Sequence, residues 1–237
     1  MFSGKNFAGE PIDADYATRR ARWEPLHEMS QIKGDEETHP LLSPEDEFAD
    51  FETWDVANID GSAAKEEWML KHEYSRSALK LGLKLGQEVG VNPYKFGMIA
   101  TTDTHTALAT TREANYFGKY AHTEPSADRH NREVIPADDP SLRILTSQEA
   151  ASGLVAVWAR ENNREEIFGA MRRKEVFGTT GTRIRVRVFA GWDFQPEDIG
   201  APDFAAMGYS KGVPMGGDLS GAAKGQVPGF LVRALRD

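Results

Sequence analysis

The 237-residue chain contains no cysteine. Disulfides, thiolate metal sites and a cysteine nucleophile are therefore excluded within it. No stretch approaches the roughly 20 consecutive apolar residues of a helical membrane span. The opening "MFSGKNFAGEPIDADYATRR" has no apolar core of the signal-peptide kind. Basic residues are outnumbered, 28 Lys and Arg against 37 Asp and Glu, for a net charge of -9. That balance weighs against a nucleic-acid partner, which needs a basic face for phosphates. There is no Gly-x-Ser-x-Gly elbow, no P-loop and no Rossmann fingerprint, no internal repeat and no low-complexity tract.

What is present is a succession of short periodic segments. "DADYATRRARW" (13–23) has a helix N-cap candidate in Asp13 or Asp15, followed by good helix formers. Residues 24–34 alternate like a strand, with Leu26, Glu28 and Ser30 on one side and His27, Met29 and Gln31 on the other. The acidic, proline-broken stretch 34–55 reads as loop with a short helix from Pro44. Residues 63–90 carry the longest helical pattern, with Trp68, Leu70, Tyr74, Ala78, Leu81 and Leu85 mostly three and four apart and Gly90 as the C-cap. Phe96 to Ala100 follows as a short buried strand. Strand, helix, strand in this order predicts parallel pairing and an α/β fold, with functional residues at the carboxyl ends of the strands.

Residues 115–148 form a long polar connection. A strand at 153–159 and a helix at 163–175, capped by Asn162 or Asn163, come next. "TRIRVRVFAGW" (182–192) alternates strictly, Ile184, Val186 and Val188 against Arg183, Arg185 and Arg187, as in an antiparallel sheet with one buried face. "FLVRALRD" reads as a further strand after a Gly-rich connection. This change of pattern divides the chain into a first unit, 1–181, and a β-rich extension, 182–237.

The chemistry concentrates in "FGMIATTDTHTAL" (96–108). In an extended segment Asp103 and His105, two apart, face the same way and could bind one divalent cation. Thr102 and the neighbouring threonines could support them by hydrogen bonds. The competing reading is that Asp103 caps a helix and His105 is a turn residue, and two ligands alone do not make a site. "GTTGTR" (178–183) has the flavour of an anion nest beside Arg183, or is simply a tight turn. Lys119 and Arg129 in the long connection could bind an acidic substrate or be solvated charges. Glu28, Glu36 and His39 complete the candidates; ordinary loop polarity is the alternative for the last two.

Three stretches carry a resemblance: "EPLHEMSQIKGDEETHPLLSPEDEFADFE", "NPYKFGMIATTDTHTA" and "GLVAVWARENNREEIFGAMRRKEVFGTTGTRI". Together they resemble the domain-of-unknown-function 3604 family, which is allied to the PHP (polymerase and histidinol phosphatase) metalloesterases. The resemblance implies the C-terminal part of a distorted PHP-like (β/α) barrel followed by an incomplete β-rich extension. It implies that Asp103 and His105 match the late Asp-x-His of the metal cluster and hold divalent ions, Zn, Mn or Fe. The other ligands would come from a missing N-terminal half of the same protein, so that this piece alone would be inactive. Glu28 carries over only as a supporting or substrate residue. The expected activity is metal-dependent hydrolysis of a phosphoester or similar anionic ester, with a small anionic substrate as partner. The alternative is a non-catalytic carbohydrate- or surface-binding module on the same scaffold, because a fold does not fix a function.

Overall fold

The computed structural model describes residues 2–108, 110–112, 114, 118–121, 126–150 and 153–237. Helix α1, Ala14–Trp23, starts where Asp13 accepts a hydrogen bond from Tyr16 N at 2.7 Å. Such a cap satisfies an amide that the helix itself leaves free. Strand β1 is Leu26–Glu28. Instead of running on to residue 34, the chain turns into a hairpin, β2 Ser30–Gln31 against β3 Gly34–Asp35. The turn depends on Gly34 at φ 101°, where a Cβ would lie 1.8 Å from the Glu52 carbonyl oxygen.

The long helical pattern at 63–90 is broken. A single turn, α2 Glu67–Leu70, is followed by α3, Ser75–Val89. Between them Tyr74 is buried in an extended conformation, and the chain is pinned by Phe2 N donating to His72 O at 2.7 Å. The first amides of α3 donate to loop carbonyls, Ser75 N to Glu36 O and Arg76 N to Glu37 O. Tertiary partners thus replace one helical turn, and Gly90 ends α3 in the left-handed conformation. The α1 and α3 faces close over Phe2, Ile12, Ala17, Ala78, Leu85 and Tyr94.

Strand β4, Gly97–Ile99, pairs in parallel with β1, Leu26 opposite Gly97 and Glu28 opposite Ile99. The parallel pairing read from strand–helix–strand order is therefore present. In the long connection, residues 115–117 and 122–125 lie outside the described residues. Its second half holds β5 Glu133–Ile135 against β6 Ile144–Leu145. Strand β7, Leu154–Val157, leads into helix α4, Arg164–Arg173, whose Asn163 cap accepts from Glu166 N at 2.9 Å. The chain returns as β8, Val176–Thr179, antiparallel to β7. β8 also lies flush against β4: a Cβ on Gly178 would stand 2.7 Å from Ala100 N.

The last unit is a three-stranded antiparallel sheet in the order β10–β9–β11, with β9 Arg185–Gly191, β10 Val213–Pro214 and β11 Gly229–Leu235. Helix α5, Phe204–Lys211, covers it, and Phe189, Phe204 and Leu231 form its buried centre. The Gly-rich reading of this region had no place for α5, a helix of eight residues with little amphipathic pattern.

The expected barrel is corrected by these sheets. Among the described residues each sheet has two or three strands, and none closes on itself. The parallel pair is three residues long because the chain turns away at Ser30, immediately after β1. β4 and β8 touch without forming a ladder, so the two sheets abut rather than merge. The architecture is mixed α/β built from small sheets. No described helix is long and apolar enough to cross a membrane.

Gly34→Ala should strike the hairpin through both its φ and its contact with Glu52. It should cost about 2 kcal/mol or more, a melting-temperature loss of several degrees. Gly4→Ala, with open space around it and no positive φ, should leave the melting temperature within about 1 °C. Equal melting of the two variants would refute the role given to Gly34.

Candidate functional site

The carboxyl ends of β1 and β4 point the chain into a polar cluster. Glu28 closes β1, and both its oxygens are engaged: Oε1 accepts from Thr101 Oγ1, and Oε2 from Gln31 Nε2 at 3.2 Å. It thereby ties β1, the end of β4 and the hairpin together. Two residues further, Asp103 sits at φ 49°, in the left-handed region that Asp tolerates better than most residues. Its Oδ2 accepts from both Lys33, delivered by the hairpin, and Lys119, delivered by the loop at 118–120. Lys119 Nζ also reaches Asp103 O at 3.0 Å and is 5% exposed. Burial pushes the Asp103 carboxyl up, but the Lys119 and Lys33 ammonium groups outweigh it and hold the carboxyl below its usual range.

His105 stands with its Nε2 3.2 Å from Asp103 Oδ1, and its ring is half-exposed. Its backbone N donates to Lys119 O at 2.8 Å, and its ring packs edge-on to Tyr120 at 5.2 Å. Thr104 Oγ1 donates to Gly118 O at 2.9 Å, and Thr102 Oγ1 accepts from Thr104 N at 3.4 Å. The threonines therefore shape the turn that presents the pair.

Beside this cluster Glu36 faces an unusual neighbour. Its Oε2 lies 3.8 Å from His27 Nε2, beyond hydrogen-bond range, and that buried nitrogen has no hydrogen-bond partner. The His27 ring is wedged between Phe2 at 4.9 Å and Phe96 at 5.0 Å, and burial pushes its pKa down to about 4. Burial, and then the nearby Glu28 charge, push Glu36 up to about 7. Glu36 lines a cavity of about 370 Å³ with Lys33, Asp35, Trp54, Glu73 and Tyr74. Lys33 connects that cavity to Asp103.

The other candidates stand elsewhere. His39 is buried; its Nδ1 accepts from Leu41 N at 3.2 Å, so Nε2 carries the proton and donates to Asp55 Oδ2 at 3.0 Å. Its hydrogen bonds are to the loop, not to Asp103. Arg129 lies on the 3-10 turn Arg129–Asn131, next to β5. Arg183 is exposed between β8 and β9, and its amide donates to Asp237 Oδ2 at 2.8 Å. The chain's own carboxylate thus takes a donor that an anion nest would offer. Lys33 was missed by the sequence reading. The signal for it was Gly34, which makes "QIKGD" a hairpin and turns Lys33 back toward the strand ends.

Two donors held about 2.0–2.2 Å from one cation stand roughly 3.0–3.5 Å apart. Asp103 Oδ1 and His105 Nε2 meet that spacing, so the pair fits as two ligands of one ion. No group of three His, Cys, Asp or Glu able to hold a metal occurs among the described residues. A complete centre would need further donors.

The sequence model of the family described as "Protein of unknown function (DUF3604)" matches residues 1–237, and the chain belongs to that family. No curated protein and no solved structure matches the chain.

The raised Glu36 pKa has a sign that can be measured. The folded chain holds this proton more tightly than the unfolded chain does. Its contribution to stability is therefore full below about pH 4.5 and is lost as pH rises to about 7. Glu36→Gln removes that loss. It should melt about 2–4 °C above the parent at pH 8 and level with it at pH 4.5, after discounting for the third of its side chain that water reaches. A variant no more stable at pH 8 than at pH 4.5, relative to the parent, would contradict the assignment.

Proposed function

We propose that this DUF3604 member is a metal-dependent hydrolase of a phosphoester or similar anionic ester, allied to the PHP metalloesterases, with its centre organised on Asp103 and His105. The observation that carries the reading is the 3.2 Å spacing of Asp103 Oδ1 and His105 Nε2 at the carboxyl end of a parallel strand pair. A bound Zn, Mn or Fe ion would supply Lewis-acid polarisation of the ester and a water of lowered pKa. The chain's own residues have separate tasks. Lys33 and Lys119 occupy Oδ2, keep Asp103 ionised and leave Oδ1 for the cation side. The positive charge of the two lysines favours approach of an anionic ester. The Asp103–His105 contact fixes the ring so that Nε2 faces the same side as Oδ1. Glu28 holds the strand ends in register through Thr101 and Gln31 and is a positioning residue.

The test begins with metal content, read by titrating the purified chain with Mn²⁺ or Zn²⁺ by calorimetry. Asp103→Ala and His105→Ala should each weaken binding about tenfold or more. Glu161→Ala, at an exposed loop position outside this cluster, should not. In a protein that also carries the further metal donors, hydrolysis of p-nitrophenyl phosphate and of its diester should follow metal occupancy, falling on the order of 10²-fold in either variant. Full metal affinity in both variants would sink the assignment of the pair. Metal binding by the protein with its full donor set, without hydrolysis of any anionic ester, would sink the reaction and favour a binding module.

A further inference from the structure

A second cluster of charge lies at the other end of β8. There Trp158 N donates to Glu175 O at 2.9 Å, whereas the Thr179 end of the strand meets Gly153 and Thr101 near the Asp103 cluster. The seam between β7–β8 and the last sheet opens into a cavity of about 720 Å³, a size that suits a small-molecule ligand. Trp158, Arg160, Arg173, Glu175, Arg187 and Tyr209 line it.

Three of these six are arginines and one is acidic, in a chain whose overall charge is -9. The acid is already engaged. Glu175 is 3% exposed; its Oε1 accepts from Tyr209 OH and its Oε2 from Arg173 Nη2 at 3.2 Å. Among the described residues Arg187 pairs with no carboxylate. Its guanidinium carbon lies 4.4 Å from the Trp158 ring centre, 5.3 Å from Tyr209 and 5.4 Å from Phe189. Its hydrogen bond is to Tyr209 OH, at 2.9 Å. Trp158 is itself fixed by Nε1 donating to Val186 O at 2.9 Å. Arg160 makes no hydrogen bond or ion pair among the described residues.

We propose that this cavity is a binding site for the phosphate or sulfate group of a small molecule, held by Arg187 and Arg160 and distinct from the Asp103 cluster. The argument is one of charge and preorganisation. The rings fix the Arg187 plane before any ligand arrives, so little side-chain entropy is lost on binding. A guanidinium presents paired donors that match a tetrahedral oxyanion, and such charge-assisted bonds are the strong ones. Arg160 at the margin adds a second cation with no internal partner. Arg173 is held by Glu175 and contributes field more than contact. Glu175 serves to position Tyr209, which in turn holds Arg187.

The probes are inorganic phosphate, inorganic sulfate and phenylphosphonate, the last having no ester bond to hydrolyse. Binding is followed by calorimetry and by melting temperature at constant ionic strength, with chloride as reference. Phosphate and sulfate should bind and raise the melting temperature, and chloride should not. Arg160→Gln should weaken phosphate binding about tenfold with an unchanged melting temperature of the free protein, since Arg160 is exposed and makes no hydrogen bond or ion pair among the described residues. Arg187→Gln should abolish binding; if loss of the ring contacts unfolds it, Arg160→Gln still decides. His105→Ala, which alters the proposed metal pair without stranding a buried lysine, should bind phosphate as the parent does, which separates this site from the proposed hydrolytic one. Tighter binding of phenylphosphonate than of phosphate would assign the site to an organic phosphate or sulfate; equal binding would assign it to the free ion. The proposal is overturned if phosphate and sulfate act no differently from chloride, if Arg160→Gln binds as the parent does, or if His105→Ala removes binding.

Discussion

The Asp103 carboxylate, gripped by Lys33 and Lys119, is the junction on which the polar end of the fold depends. It joins three segments distant in sequence: the hairpin after β1, the end of β4 and the loop at 118–120. A buried lysine such as Lys119 is costly without a counter-charge, and a carboxylate at a left-handed backbone position has little freedom to look for another one. Each group thus makes the other tolerable. With two cations on one oxygen, the second oxygen is free to meet His105. The same contacts that close the loop leave a carboxylate oxygen and an imidazole nitrogen side by side at the surface.

The hydrophobic side of the molecule makes that arrangement possible. Phe2 and Phe96 pack around His27, with Tyr94 behind Phe2, and seat β1 against β4, while the α1–α3 core holds the helices that flank them. Glu36 lies where this apolar wall meets the charged cluster. Burial there, and then the nearby Glu28 carboxylate, hold the Glu36 proton above the usual carboxylate range. The cavity it lines and the Asp103 cluster share Lys33, so the two are electrostatically one region.

Local rules were legible in the sequence where local physics decides. The Asp13 and Asn163 caps and the Gly90 stop are short-range effects, and the structure contains each. β9 is antiparallel as its alternation implies, but the side it buries is that of Phe189 and Arg187, whereas Ile184 is exposed and Val186 and Val188 are half-buried, because α5 packs on the Phe189 face. The parallel β1–β4 pair followed from element order. What did not follow was length and closure. A strand over 24–34 and a helix over 63–90 both ignored residues whose conformation is set by distant partners: Gly34 by Glu52, and Tyr74 and Ser75 by the loop around Glu36. The barrel that the resemblance implied needs parallel strands longer and more numerous than the three-residue β1–β4 pair supplies. β8 went unread because "VFGT" is short and holds a glycine, and that glycine is what lets it lie against Ala100. In the candidate site, Asp103 and His105 were visible as an i, i+2 pair and Lys119 as a stray cation. Lys33 was not visible, since its place there depends on a hairpin that alternation conceals.

The distribution of positive charge carries the argument one step further. In a chain of net charge -9, several lysines and arginines pair directly with carboxylates, as Arg76 does with Glu37 and Asp46. Arg187 is different: aromatic rings surround it, and the one acid in its cavity is already held by Arg173 and Tyr209. Ring faces stabilise a cation without neutralising its outward field. Lys33 and Lys119 show the other solution, in which two cations face a carboxylate directly and hold it in place. The protein therefore uses its few cations in two physical modes at opposite ends of β8. One set organises a carboxylate and an imidazole; the other keeps a guanidinium rigid, dehydrated on its faces and open at its edge, which is the state in which an arginine is best prepared to meet an oxyanion.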